Sequence, residues 1–300
     1  MIYDALDLIG NTPILNLKKI GYPNVFVKLE KTNPGGSIKD RAILCMINGA
    51  EEKGILNKDS VLVEATSGNT GIALAMAGKI KGYKVVIIMP DTMSIERRQL
   101  VKAFGAELIL TEGSKGMAGS IEKANELLKS NTNYVCLGQF ENKDNPRAHY
   151  ETTGPEILRE VEKVDIVVAG IGSGGTIVGT GRYLKEKNPN TKVVGIEPDS
   201  SPLITKNQAG AHKIQGIGAN FIPKIYDDKV VDEVITVKDE DAILTAKELA
   251  RKEGILSGIS SGAALWAANE LSKRNENKDK LIVVILPDSG ERYLSSEMFS

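Results

Sequence analysis

The chain has 300 residues, 41% hydrophobic and 26% charged, an ordinary globular mixture long enough for two domains or one large α/β unit. With 38 basic and 39 acidic side chains the net charge is −1, and no Lys/Arg run exceeds two residues, so nothing favours nucleic acid or an anionic membrane as partner. The longest apolar runs, such as 281–286, are strand length, and the first residues lack the basic and apolar regions of a signal peptide, so a cytoplasmic location is expected.

In chain order, a β-branched run at 25–29 is followed by helical periodicity at 41–53, then a strand at 61–64, a helix at 72–81 and a strand at 84–89. A helix at 95–104, a strand at 107–110, a helix at 120–129 and a strand at 134–137 continue the pattern. Charged and turn residues cluster at 142–146, where a domain boundary is expected. Beyond it come a strand at 166–169, a helix at 177–187 and strands at 192–196 and 233–237. Helices at 239–252 and 262–273 and a strand at 281–286 end the series. Strands apolar on both faces and alternating with helices predict parallel sheet covered on both sides.

Three glycine-rich turns carry candidate chemistry. The first, Asn33-Pro34-Gly35-Gly36-Ser37-Ile38-Lys39-Asp40-Arg41, follows a strand and opens a helix. Ser37 and Asp40 fit a capping box, which puts Lys39 in the first helical turn. The positive end of the helix dipole disfavours an ammonium there, and a lysine with a destabilised charge is the better amine nucleophile. The second turn, Thr66-Ser67-Gly68-Asn69-Thr70-Gly71, gathers hydroxyls and backbone N–H groups at a helix start, a site for a carboxylate or phosphate. The third, Gly170-Ile171-Gly172-Ser173-Gly174-Gly175-Thr176, contains the dinucleotide fingerprint, with Glu197 at the end of the next strand. It is equally a general phosphate cradle, because glycine lets backbone amides approach the oxygens. A nicotinamide-dependent dehydrogenase would explain this turn and Glu197 but not Lys39 or the 66–71 turn.

Together the three turns, with segments 9–14, 34–41, 139–142, 152–157, 215–218, 258–262 and 290–294, resemble the cysteine synthase (O-acetylserine sulfhydrylase) and cystathionine β-synthase family of tryptophan-synthase-β-like enzymes. The resemblance covers essentially the whole chain. It implies an α/β fold of two three-layer αβα domains with mostly parallel sheets and pyridoxal 5′-phosphate (PLP) in the cleft between them. A smaller, mobile domain would span 35–145, and 13–34 with 146–300 would form the larger one. The resemblance also implies that Lys39 carries the cofactor and moves the α-proton. Asn69 would bond the ring hydroxyl, and Thr66, Ser67, Gly68 and Thr70, with Gln139, would bind the substrate carboxylate. Gly172, Ser173, Gly174, Gly175 and Thr176 would hold the phosphate. Ser260, with Ser261 beside it, would face the pyridine nitrogen. A serine there does not keep the ring nitrogen protonated as an aspartate would, which favours β-elimination over transamination.

The implied reaction is β-replacement on O-acetylserine, serine or cysteine through an α-aminoacrylate, with cysteine synthesis from O-acetyl-L-serine and sulfide foremost. A cystathionine β-synthase, or a cysteine lyase releasing hydrogen sulfide, is the alternative. Asn220 stands where typical cysteine synthases have glycine, and is expected to influence the choice of acceptor. A homodimer is the family expectation; the sequence stops soon after Tyr293-Leu294, and neither a regulatory extension nor an N-terminal haem-binding extension is expected. Cys45 and Cys136 stand in no metal-ligand spacing and are expected to be buried small hydrophobes, and no metal is expected. With only His149 and His212, little favours a Ser-His-Asp hydrolase or a histidine-rich metal site, and His149 reads as structural.

Overall fold

The computed structural model describes residues 3–22 and 24–296. In it, ten strands form two sheets. The larger sheet has the order β1-β2-β10-β7-β8-β9, from β1 (Ile14–Asn16), β2 (Val25–Leu29), β7 (Ile166–Gly170), β8 (Lys192–Pro198), β9 (Glu233–Val237) and β10 (Ile282–Leu286). The smaller has the order β5-β4-β3-β6, from β3 (Val61–Ala65), β4 (Lys84–Pro90), β5 (Glu107–Thr111) and β6 (Tyr134–Val135). Every neighbouring pair is parallel except β1 and β2.

Both sheets are buried on both faces, as their sequences predict. In β7, Ile166 and Val168 pack with α9 (Asp239–Glu253) and α10 (Ile259–Ser272), while Val167 and Ala169 face α6 (Gly154–Val161) and α7 (Gly175–Lys187). The smaller sheet does the same. Leu62, Val85 and Ile87 meet α1 (Lys39–Glu52) and α2 (Asn69–Ile80), and Val63, Val86 and Ile88 meet α4 (Gly116–Ser130) on the other face. The period-2 strand geometry turns each uninterrupted apolar run into two buried faces.

Several elements escape the sequence pattern. The hairpin strand β1 is three residues long, and α5 (Asp144–Ala148) passes through a π-turn at His149–Thr153 into α6. Short helix α8 (Leu203–Lys206) follows β8, and α3 (Ile95–Ala103) lies where periodicity puts it. The strand expected at 134–137 stops at 135, leaving Cys136 exposed at the sheet edge, and Cys45 is only half-buried. Neither cysteine is the buried hydrophobe expected from composition.

Topology positions the site. After β9 the chain crosses back to lay β10 between β2 and β7, so the larger sheet reverses winding direction between β7 and β10. In open α/β sheets the crevice outside the carboxyl ends of strands at such a point receives ligands. The Gly170 turn and Pro287-Asp288 leave the sheet there. Among the described residues, no helix is long and apolar enough to cross a membrane, and no cluster could hold a metal ion.

Candidate functional site

Lys39 is the first residue of α1, on the seam between the two cores: Ile38 belongs to the larger core and Ile43 to the smaller. The Ile38 N–H donates to the Pro287 carbonyl at 2.8 Å, and Ser37 pairs with Asp288 in an antiparallel bridge. The segment leading to Lys39 is thereby stapled to the end of β10. The expected capping box is rearranged. Ser37 Oγ accepts from the Lys39 N–H at 3.2 Å, but Asp40 reaches past Ser37 to accept from the Gly35 N–H at 2.6 Å. Burial pushes the Asp40 carboxyl up to about 7. Desolvation lowers the Lys39 pKa, and the Asp288 charge opposes it. Burial, which the sequence argument did not weigh, is thus the larger cause.

The 66–71 turn closes β3 and becomes the first turn of α2, which begins at Asn69, three residues earlier than periodicity suggests. Thr66 and Thr70 are buried, and the Thr70 hydroxyl donates to Gln139 Oε1 at 2.8 Å. The Asn69 amide is held from both sides. Its Nδ2 donates to Asp288 Oδ2 at 2.7 Å, and its Oδ1 accepts from Arg292. Arg292 also donates to the Gly35 carbonyl, and Arg97 of α3 donates to the Ser67 carbonyl at 2.6 Å.

The third turn lies at the end of β7 and opens α7. Gly174 is left-handed, with φ 87°, and a Cβ on Gly172 would collide with the carbonyl oxygen of Gly216. Only glycines give this loop its shape, and it leaves successive amides at a helix N-terminus bare of side chains. Asn145 joins it to the segment carrying Gln139: its Nδ2 lies 2.8 Å from the Gln139 carbonyl and 3.0 Å from Ser173 Oγ. His149 sits behind the loop, 3.4 Å from Thr176 Oγ1, and burial keeps its pKa well below 6.5. Ser260 and Ser261 are buried in the first turn of α10, and Ser261 Oγ has no partner. A Cβ on Gly216 would lie 3.6 Å from Ser260 Oγ, so the Gly216 turn lines both the Gly172–Thr176 loop and the α10 terminus.

Asn220 is exposed and left-handed, with φ 61°, and its Oδ1 accepts from Ser201 Oγ at 2.9 Å. Its neighbour Phe221 packs edge-to-face on Phe140, beside Gln139. Asn220 therefore lies near the segment that carries Gln139. Glu197 is not free for a ribose: its carboxylate accepts from the backbone N–H groups of Ile204 and Thr205 at 2.8 and 3.0 Å, capping α8. The dehydrogenase alternative loses its acidic residue. Sequence reasoning missed Asp288, Arg292, Tyr293, Arg97 and Asn145 as site builders, although 290–294 figured in the resemblance.

The arrangement brings an electrostatically softened lysine, a hydroxyl-rich turn and a bare amide cradle to the carboxyl ends of parallel strands. It defines an enzyme that holds a phosphorylated group beside an amine. The family described as pyridoxal-phosphate dependent enzyme matches residues 5–288, and the chain belongs to it, with pyridoxal phosphate as cofactor. The residues fit that group: the Gly172–Thr176 loop suits a phosphate, and the unpartnered Ser261 hydroxyl leaves hydrogen-bonding capacity near the ring position.

Within the family the chain is 53% identical to the cysteine synthase of Buchnera aphidicola subsp. Schizaphis graminum, over 97% of this chain and 94% of that one. A cysteine synthase structure from Entamoeba histolytica superposes with a TM-score of 0.97 at 44% identity, covering 100% of this chain and 91% of that one. A hydrogen sulfide-producing enzyme from Fusobacterium nucleatum gives 0.94 at 50% identity, covering 98% and 100%.

Proposed function

We propose that the chain makes L-cysteine from O-acetyl-L-serine and sulfide by β-replacement. The observation that carries the reading is Lys39 on the seam between the two cores, with the Thr66–Thr70 turn and the Gly172–Thr176 loop opening onto the same crevice. When bound, pyridoxal phosphate supplies a conjugated electron sink that acidifies the α-proton of the attached amino acid and lets a β-substituent leave.

In this reading Gly172, Ser173, Gly174, Gly175 and Thr176 hold the phosphate on their amides and hydroxyls. Ser260 would meet the ring nitrogen as a neutral partner, and Asn69 would bond the ring hydroxyl. Thr66, Ser67, Gly68 and Thr70, with Gln139, receive the substrate carboxylate. The Thr70–Gln139 bond fixes the spacing of two of these donors. Carboxylate binding draws the smaller domain, residues 35–145, toward the larger one (13–34 and 146–300), which excludes water and aligns the α-proton. Lys39 is the catalytic residue: desolvation favours its neutral amine, which takes the proton from Cα. Acetate leaves Cβ, and sulfide bonds there in its place. The enzyme works as a cytoplasmic homodimer.

Two features favour a second reading, a cysteine lyase releasing hydrogen sulfide or a cystathionine β-synthase. One is the 50% identity to a hydrogen sulfide-producing enzyme. The other is Asn220, whose exposed side chain can hydrogen-bond a second amino acid. The deciding experiment measures kcat/KM of the purified enzyme for O-acetylserine with sulfide, for cysteine alone, and for either amino acid with homocysteine. Preference for O-acetylserine and sulfide supports cysteine synthesis. Faster sulfide release from cysteine overturns it.

A further inference from the structure

Asp288 is completely buried at the end of β10, where three elements of the site meet. Its backbone pairs with Ser37, two residues before Lys39, and its carbonyl accepts from the N–H of Gly258, the residue that caps α10 just before Ile259 and Ser260, at 3.3 Å. Its Oδ2 accepts from Asn69 Nδ2 at 2.7 Å and from the Tyr293 hydroxyl at 2.6 Å. Its Oδ1 is buried with no hydrogen-bond partner. A Cβ on Gly258 would collide with that oxygen, so the turn leaves room for the carboxylate. A buried carboxylate oxygen left open costs free energy, and its retention beside a lysine calls for an electrostatic role.

We propose that Asp288 is a positioning residue for the reaction: its carboxylate orients the Asn69 amide and is the counter-charge of the Lys39 ammonium whenever that amine is free. The inference rests on the reading of Lys39 as the cofactor-carrying lysine. The surrounding charges leave this task to Asp288. Asp40 is turned back to Gly35, Arg292 is engaged by Asn69 and the Gly35 carbonyl, and Arg97 lies over the Tyr293 ring, 5.3 Å from its centroid. His149 is neutral, and burial raises the Tyr293 pKa further above its ordinary value, so its phenol stays a donor. Burial lowers the Lys39 pKa and Asp288 raises it, so loss of the charge lets Lys39 lose its proton at lower pH.

The test uses the full chain freed of cofactor and mixed with pyridoxal phosphate from about pH 6 to pH 10, a range that brackets a perturbed lysine. Capture is followed by absorbance and assigned to Lys39 by borohydride trapping and peptide mass. Its rate follows the neutral amine, so the pH midpoint reports Lys39 directly, independently of turnover. Asp288→Asn and Asp288→Ser are expected to move the midpoint to lower pH, with capture below it about tenfold faster for each unit of displacement. Asp288→Glu restores it toward the parent, and Tyr293→Phe, which keeps the charge, leaves it in place. An unmoved or raised midpoint in either folded charge-free variant overturns the assignment. So does a glutamate variant that behaves like the asparagine one, or a lowered midpoint in Tyr293→Phe. A parent chain that captures no cofactor at Lys39 would instead refute the reading of Lys39 itself, a result distinguishable from all of these.

Discussion

Glu64 offers a stability prediction whose size follows from its surroundings. It lies in β3, is 6% exposed, and its Oε2 accepts from the Cys136 thiol at 3.4 Å. Burial raises its pKa from 4.5 to about 7, with the thiol bond opposing. The folded state therefore holds the Glu64 proton to higher pH than the unfolded chain does. Stability linked to that proton is complete below about pH 4.5 and is lost as pH rises through 7. Between pH 5 and pH 8 the loss is about 2.5 kcal/mol. At the usual unfolding entropy per residue, a chain this long converts that into about 4 °C of Tm. Glu64→Gln removes the titrating group and keeps the shape, so the variant's Tm advantage over the parent should be about 4 °C larger at pH 8 than at pH 5. Scanning calorimetry of both proteins at both pH values measures it. An advantage that is the same at the two pH values, or larger at pH 5, would refute the reasoning.

Other perturbations follow from the same geometry. Gly172→Ala forces a methyl onto the Gly216 carbonyl oxygen, which as backbone cannot swing aside, so the phosphate loop must shift. The expected result is cofactor affinity weakened roughly a hundredfold, about 3 kcal/mol, by equilibrium dialysis, with Tm in the absence of cofactor little changed. Arg41 bonds both Glu30 and Glu156 at 2.7 Å in a fully buried cluster. Arg41→Met leaves Glu30 buried without its cation and Glu156 paired with Lys28 alone, at a cost of about 3–5 kcal/mol and a Tm drop of roughly 5–8 °C. Asn220→Gly relieves a left-handed asparagine and removes its exposed side chain, and should change the preference between sulfide and homocysteine by at least about threefold in competition assays.

The sequence carried the architecture because buried parallel strands must be apolar on both faces, and alternation with helices leaves few topologies. It marked the loops of the site because their shapes demand glycine and hydroxyl residues, as at Gly172, Gly174 and Thr70. Helix starts were read late at Asn69, Gly175 and Ile259, since those glycine and serine turns are themselves the first helical turns. Asp288 was illegible because its role comes from a register that sets Ser37 against it across the whole chain. Glu197 shows the opposite error: spacing suggested a ribose ligand, and tertiary structure used the residue to cap α8. Cys136 was misplaced because β6 ends two residues sooner than its apolar run suggests.

The most direct test of the account is the visible absorption spectrum of the purified enzyme and of Lys39→Ala, each titrated with O-acetylserine. The account predicts a yellow cofactor band in the parent that is lost in the variant, and a parent band that shifts on adding O-acetylserine and returns on adding sulfide. A parent that stays colourless after reconstitution with pyridoxal phosphate, or a Lys39→Ala variant that keeps the parent's band and its response, would contradict it.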